Sequence, residues 1–262
     1  MRSFFVSLSS EFYKSRKTLA FWSAILLPIV ISMAIGSMFV FKTEKFVNFP
    51  AIALWIYFVN PIIGIMGSLL LPILVIYNTY AITNMEYKGD TWKSLFSLPL
   101  SKMSIYASKY LYIVFLTFIS MLIFCLFILA SGHGIQMMIP QLEFGDYAAA
   151  PIIFKAFGKL FLSAIGIISI QFLMNLMWND FLKSFGIGFL LTIICSITAN
   201  VGWKYATYLP HAFPSLTVMS IMKTGGDVNK FVLFDQAIYN SLICGVVVFV
   251  IGYFLVAKKT IK

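Results

Sequence analysis

The chain is 262 residues long, 61% hydrophobic and only 11% charged, with a mean hydropathy of +0.94. No soluble globular chain of that length hides so much apolar surface, so composition places it in a bilayer. Its formal charge of +10 is scattered between long apolar runs with no basic, aromatic-interleaved face, which excludes a nucleic-acid partner and leaves membrane lipid as the surface it meets.

At the N-terminus, Phe4, Phe5, Leu8 and Phe12 recur at helical spacing, and Glu11, Lys14, Arg16 and Lys17 occupy the remainder. Residues 1–17 therefore read as an amphipathic interfacial helix lying in the headgroup plane. An ordinary basic flank that orients the first span would carry the same charges. The first apolar run starts near Leu19 with no small-residue cleavage site behind it, so it reads as an uncleaved anchor.

A hydrocarbon core about 30 Å thick needs about 20 helical residues. Stretches 19–41, 52–82, 105–130, 157–177, 185–201 and 237–257 qualify or nearly qualify. The expected fold is an all-α membrane protein, one transmembrane domain over 1–262 with six transmembrane helices. The second stretch is long for one straight crossing, and Pro61, Gly64, Gly67 and Pro72 are placed to bend it. The fifth is the shortest, with Phe181 as an alternative start.

Orientation follows from the positive-inside rule. Of the nineteen Lys and Arg residues, seven (Lys42, Lys45, Lys155, Lys159, Lys204, Lys223 and Lys230) fall on one side of this arrangement and the other twelve on the opposite side. Connection 131–153 holds Glu143, Asp146 and His133 but no Lys or Arg, so it is outside. Both termini are then cytoplasmic, in a multi-pass protein of a plasma membrane. Connection 202–236 is also outside, yet it is rich in Tyr, Leu, Phe and Met, broken by Pro210 and Pro214 and closed by Gly225 and Gly226. Such a segment suits short re-entrant helices that dip into the outer leaflet; a plain amphipathic loop resting on lipid is the alternative.

Catalytic chemistry is scarce. His133 and His211 are far apart and neither sits in a metal-ligand spacing, while Cys125, Cys195 and Cys244 all fall inside apolar runs as small hydrophobes. None of the nine acidic residues lies centrally in a span, which argues against a proton- or sodium-coupled carrier. Lys155 and Lys159, one turn apart at the outer start of the fourth span, most simply snorkel to the interface. Gln171 and Asn175 form an i, i+4 pair that would either line a pathway or, the better reading, hydrogen-bond between helices. No Gly-x-x-x-x-Gly-Lys-Ser/Thr loop is present, so the chain binds no ATP in the usual way and offers no catalytic, cofactor or metal site of its own.

The second and third spans are joined by a polar stretch, 86–102, that mixes both charges with a Leu/Phe/Leu face. Asp90 or Thr91 is a plausible N-cap, Trp92, Leu95 and Phe96 form an apolar edge, and Pro99 stops the helix before Ser101 starts the next. A short helix rigidly joined to two long ones is a lever across the cytosolic mouth.

The order of these features resembles the permease subunit of type-2 ABC exporters, also called type V exporters. The likeness covers essentially the whole chain: a basic amphipathic helix, six spans, a loop reading Glu86 … Thr91-Trp92-Lys93-Ser94-Leu95 … Leu98-Pro99-Leu100-Ser101-Lys102 … Lys109, and a broken apolar loop before the last span. It implies a coupling helix over 91–98 that docks on a cytosolic ABC ATPase, carried here by Thr91, Trp92, Lys93, Leu95, Phe96 and Leu98 with Pro99 ending it. Glu86, Lys102 and Lys109 take a supporting interface role. ATP and Mg would belong to the partner ATPase. The wording Gly-Asp-Thr-Trp-Lys-Ser-Leu looks most like permeases of bacteriocin or lantibiotic immunity and peptide efflux, hence antibiotic resistance. A six-helix bundle with so apolar an interior offers no conduit alone, so a second copy or a homologous chain is expected. The reading is export of a hydrophobic or amphipathic substrate. Its rivals are a six-span substrate-binding component of an importer and a non-transport membrane scaffold.

Overall fold

The computed structural model describes residues 2–89, 100–178 and 180–258, and every regular element among them is helical. An N-terminal helix, Arg2–Ser15, is followed by the first span, Leu19–Phe41. Thr18 separates them: its extended backbone places its hydroxyl to accept the Phe21 N–H at 3.4 Å, an N-cap for the span. Six helices are long and apolar enough to cross a membrane.

The second span continues from Ala51–Ile65 through a π-helical turn, Met66–Leu70, into Leu71–Lys88. Pro72 explains what the turn must solve. It has no N–H to offer the Ser68 carbonyl in α register or the Gly67 carbonyl in π register. Hydroxyls from elsewhere in the bundle serve both: Ser196 donates to Ser68 O at 2.9 Å and Ser215 to Gly67 O at 3.4 Å. Within a bilayer such groups must be satisfied by protein. The sequence end-point at 82 falls short because Thr83, Asn84 and Glu86, polar as they are, are buried against other helices.

The third span, Lys102–Met138, has 37 residues, about 55 Å at 1.5 Å per residue. It exceeds the 105–130 read from hydropathy at both ends. Ser101 caps it by accepting the Ser104 N–H at 3.1 Å, and at the far end Gly132 lets the Trp55 ring pack against its backbone. The fourth span, Ala150–Met177, begins seven residues before the predicted 157, with Pro151 in its first turn where a missing N–H costs nothing. The fifth, Phe181–Asn200, starts at the earlier of the two positions considered, because Asp180 accepts the Leu182 N–H at 2.9 Å. The sixth is Gln236–Lys258.

The fourth span is central. In its most apolar window 61% of residues are buried, against 28%, 22% and 17% for the first, fifth and sixth. Those three turn outward side chains such as Leu26, Val30, Leu190, Ile194, Val246 and Val250, the surface that hydrocarbon solvates.

Between the fifth and sixth spans the connection folds back among the helices. Short 3-10 turns, Lys204–Tyr208 and Pro210–Ala212, lead into a helix, Phe213–Met222. His211, Ala212, Phe213, Thr217 and Val218 are buried there. Phe213 lies against Gly166 of the fourth span, and a Cβ at Gly67 would overlap Val218 and come within 2.8 Å of the Pro214 carbonyl oxygen. Only glycine leaves room for this approach of helix to helix.

Candidate functional site

The N-terminal helix presents Ser3, Ser7, Glu11 and Ser15, one residue every four, along a single face. The start of the third span presents Ser104, Ser108, Lys109 and Tyr112. The two faces pair: Ser3 with Ser104 at 3.2 Å, Ser7 with Ser108 at 2.6 Å, Glu11 with Lys109 at 2.8 Å, and Ser15 with the Tyr112 hydroxyl. The polar face of this helix is therefore turned into protein. Glu11, read from sequence as part of a headgroup-facing polar surface, is instead 1% exposed, while Phe5, Phe12 and Tyr13 are exposed. Arg16 stacks its guanidinium on Tyr13 at 4.4 Å.

Four charges close this seam. Lys109 Nζ lies 2.8 Å from Glu11 Oε2 and 3.0 Å from Glu86 Oε1, and Lys14 Nζ lies 2.6 Å from that same Glu86 oxygen and 3.1 Å from Glu11 Oε1. The side chains of Lys109, Glu11 and Glu86 are 1%, 2% and 3% exposed, and that of Lys14 is 31%. Two ammonium and two carboxylate groups sum to zero, which is what allows them to be buried together. Burial alone would pull the Lys14 ammonium down, but Glu11 and Glu86 outweigh it and hold its pKa above the usual lysine value.

Glu86 stands near the end of the second span and Lys109 two turns into the third, so the cluster brackets the segment expected to couple. Thr91, Trp92, Lys93, Leu95, Phe96, Leu98 and Pro99 lie outside the described residues. Lys102 begins the third span and donates to the Ala257 carbonyl at 3.2 Å, tying that span to the last turn of the sixth. The cluster thus joins the N-terminal helix, the second span and the third, and Lys102 brings in the sixth.

Gln171 and Asn175 are buried on the fourth span. Gln171 Nε2 meets His211 Nε2 at 3.2 Å, and Asn175 donates to Thr79 Oγ1 at 3.1 Å. Gly188 of the fifth span lies directly on Gln171, where a Cβ would overlap the amide. His211 lies in the connection between the fifth and sixth spans, as expected, but is 2% exposed beside the fourth span, and burial pushes its pKa down to about 4, so the ring is neutral. His133 is exposed near the far end of the third span, edge-on to Trp55 at 5.9 Å. Among the described residues no group of His, Cys, Asp or Glu is placed to hold a metal ion.

Lys155 is exposed, but Lys159 does not snorkel. It is 1% exposed and paired with Asp235 at 2.7 Å, because the connection folds over it and replaces water with a carboxylate. A groove of about 610 Å³ runs along Ile56, Asn60, Gly64 and Ser68 of the second span, with Met222 of helix Phe213–Met222 at its edge. The roles of Glu11, Lys14, Lys159 and His211 were missed in the sequence. A signal was present for Lys159, which like Lys109 interrupts an apolar helical run, where an ionisable residue demands a named partner.

A family model described as ABC-2 family transporter protein matches residues 7–195. The matched region contains Glu11, Lys14, Glu86 and Lys109 and ends within the fifth span, before the connection that carries His211 and Asp235. No curated protein and no solved structure matches the chain.

Proposed function

The chain belongs to the family of ABC-2 transporter proteins, and from that premise we propose that it is the permease subunit of an ABC exporter driven by a separate cytosolic ATPase. Members of this family are membrane components of transporters and work with an ABC ATPase. The observation that carries the finer reading is the buried cluster Glu11–Lys14–Glu86–Lys109. It fixes the two helices that flank segment 90–99 to each other and to the N-terminal helix. A segment so anchored transmits a push instead of absorbing it.

In this reading Thr91 to Leu98 dock on the ATPase, and Glu86 and Lys109 act from within, holding the docking segment's ends, while Lys102 couples the push to the sixth span. ATP and Mg sit in the partner. Both termini and the cluster are cytoplasmic; the exposed Phe5, Phe12 and Tyr13 with Arg16 and Lys17 rest on the anionic inner leaflet. Connection 202–236 is re-entrant from the outer side. Two copies, or one copy and a homologous chain, enclose the pathway, and Gln171 and Asn175 serve helix packing within each. The apolar groove beside Asn60 suits a hydrophobic or amphipathic cargo such as a peptide antibiotic.

Purification of the native complex in mild detergent tests the class. An ABC ATPase is expected to copurify in stoichiometric amount; recovery of the chain with an unrelated membrane partner and no ATPase would remove the reading.

A further inference from the structure

The sixth span begins at a carboxylate with two tasks. Asp235 Oδ1 accepts the Ile238 N–H at 3.1 Å and so caps the helix. Its Oδ2 lies 2.7 Å from Lys159 Nζ on the fourth span. The same ammonium donates to Ser220 Oγ at 2.8 Å, and the Phe231 ring lies 5.6 Å from it. One ion pair therefore gathers the fourth span, the start of the sixth and the end of helix Phe213–Met222.

The partners are unequal. Lys159 is 1% exposed and held in a long helix, whereas Asp235 is 28% exposed and follows a non-helical stretch. Helix Phe213–Met222 also rests on the second span through the Gly67 notch and the long Ser215 bond at 3.4 Å, on the fifth through the Ser196–Ser215 hydroxyl pair at 3.0 Å, and on Gly166 of the fourth through Phe213. If Asp235 turned away alone, Lys159 would be left as a buried charge without compensation, which is strongly unfavourable. Lifting of the helix that covers Lys159 admits water in place of the carboxylate, so loss of the pair favours the lifted helix.

We propose that Lys159 and Asp235 form a latch on the outer end of the bundle. Closed, it seats helix Phe213–Met222 in the Gly67 notch and beside the groove that Met222 shares with Asn60 and Gly64. Open, it releases the helix and widens that groove on the side that Met222 lines. This rests on reading the chain as a permease whose outer end must open.

Thr217 is fully buried on the seated helix and reports its position. In a chain with Cys125, Cys195 and Cys244 replaced by Ala, Thr217→Cys should resist a membrane-impermeant maleimide added to cells. Asp235→Asn should raise its labelling rate at least about tenfold, a bias of about 1.4 kcal/mol, and Asp235→Glu should leave it near the parent rate. Gly67→Ala, which forces the helix off its notch with both charges intact, is the positive control. Asp146→Cys reports topology, since Tyr147 bonds to Gly226 O at 3.1 Å on the same end. Labelling of the Asp235→Asn chain no faster than the parent, with the Gly67→Ala chain fast, would overturn the latch. Where Asp235→Asn does not accumulate, Lys159→Met with Asp235→Leu decides: an apolar pair should keep Thr217→Cys as protected as in the parent, and fast labelling counts against the proposal. These resting-state contrasts do not need an ATPase, so they stand apart from failure of the copurification test.

Discussion

Lys109 and Glu86 meet at 3.0 Å with both side chains almost wholly buried, one in the third span and the other at the end of the second. Removing one member of such a group leaves the others uncompensated. Lys109→Met would face Glu11 and Glu86 with Lys14 alone, and should destabilise the protein by about 3–5 kcal/mol. Adding Glu86→Gln should recover part of that loss. Thermal unfolding in detergent measures both, and strict additivity of the two substitutions would argue that they do not share one network.

Docking is tested separately from stability. Leu95→Asp with Phe96→Asp places two carboxylates on the apolar edge expected to meet the ATPase, far from the buried cluster in role. Transport should fall by more than about tenfold, the effect of losing a well-buried interface contact worth about 2 kcal/mol. The unfolding midpoint of the isolated permease should stay within about 0.5 kcal/mol of the parent, as surface changes do. Unchanged transport would remove the coupling role from this segment.

Much of the architecture was legible because hydropathy is a local signal: 19–41 matches the first span, and Phe181, the alternative start considered for the fifth, is where it begins. Where the reading fell short, long-range contacts decided. Thr83, Asn84 and Glu86 are polar in sequence but buried in the bundle, and the helix reaches back to Lys102 because Ser101 caps it there. Glu11 looked solvated because its helical neighbours Lys14 and Arg16 are basic, yet its partner is Lys109, 98 residues away. Periodicity shows that a face is polar and is silent on whether water or another helix meets it.

The orientation can be read with two cysteines. Ser101 caps the third span beside the charge cluster, and Asp146 lies in the connection after that span. In a chain otherwise free of cysteine, Ser101→Cys should be protected from an impermeant reagent in intact cells and Asp146→Cys should react. Reaction of both from the same side would contradict a single crossing between them.

Lys14 sets the pH range of the seam. Burial lowers its pKa and the two carboxylates raise it by more, so the net shift is upward. A raised lysine pKa contributes stability that is fully present below the ordinary value of about 10.4 and is lost as pH rises through the raised one. A spin label at Phe5→Cys, an exposed site on the N-terminal helix, should keep its mobility from pH 7 to about 10 and loosen only above that. Loosening below pH 9 would show that Lys14 does not hold the helix.

Gly188 provides the sharpest packing test. A methyl group there would overlap the Gln171 amide nitrogen and stand 3.0 Å from Ile76 Cδ1, so Gly188→Ala must displace Gln171 and break its bond to His211. That leaves a neutral, buried imidazole nitrogen without its partner, at a cost of about 1–3 kcal/mol. Gln171→Ala alone loses the same bond but opens space. The double variant should therefore be no less stable than Gln171→Ala, and even slightly more, since alanine is a better helix former than glycine by roughly 0.5–1 kcal/mol. Additive losses in the pair would mean that Gly188 is needed for some approach other than that of Gln171, and the fifth span would have to be fitted to the fourth by a different contact.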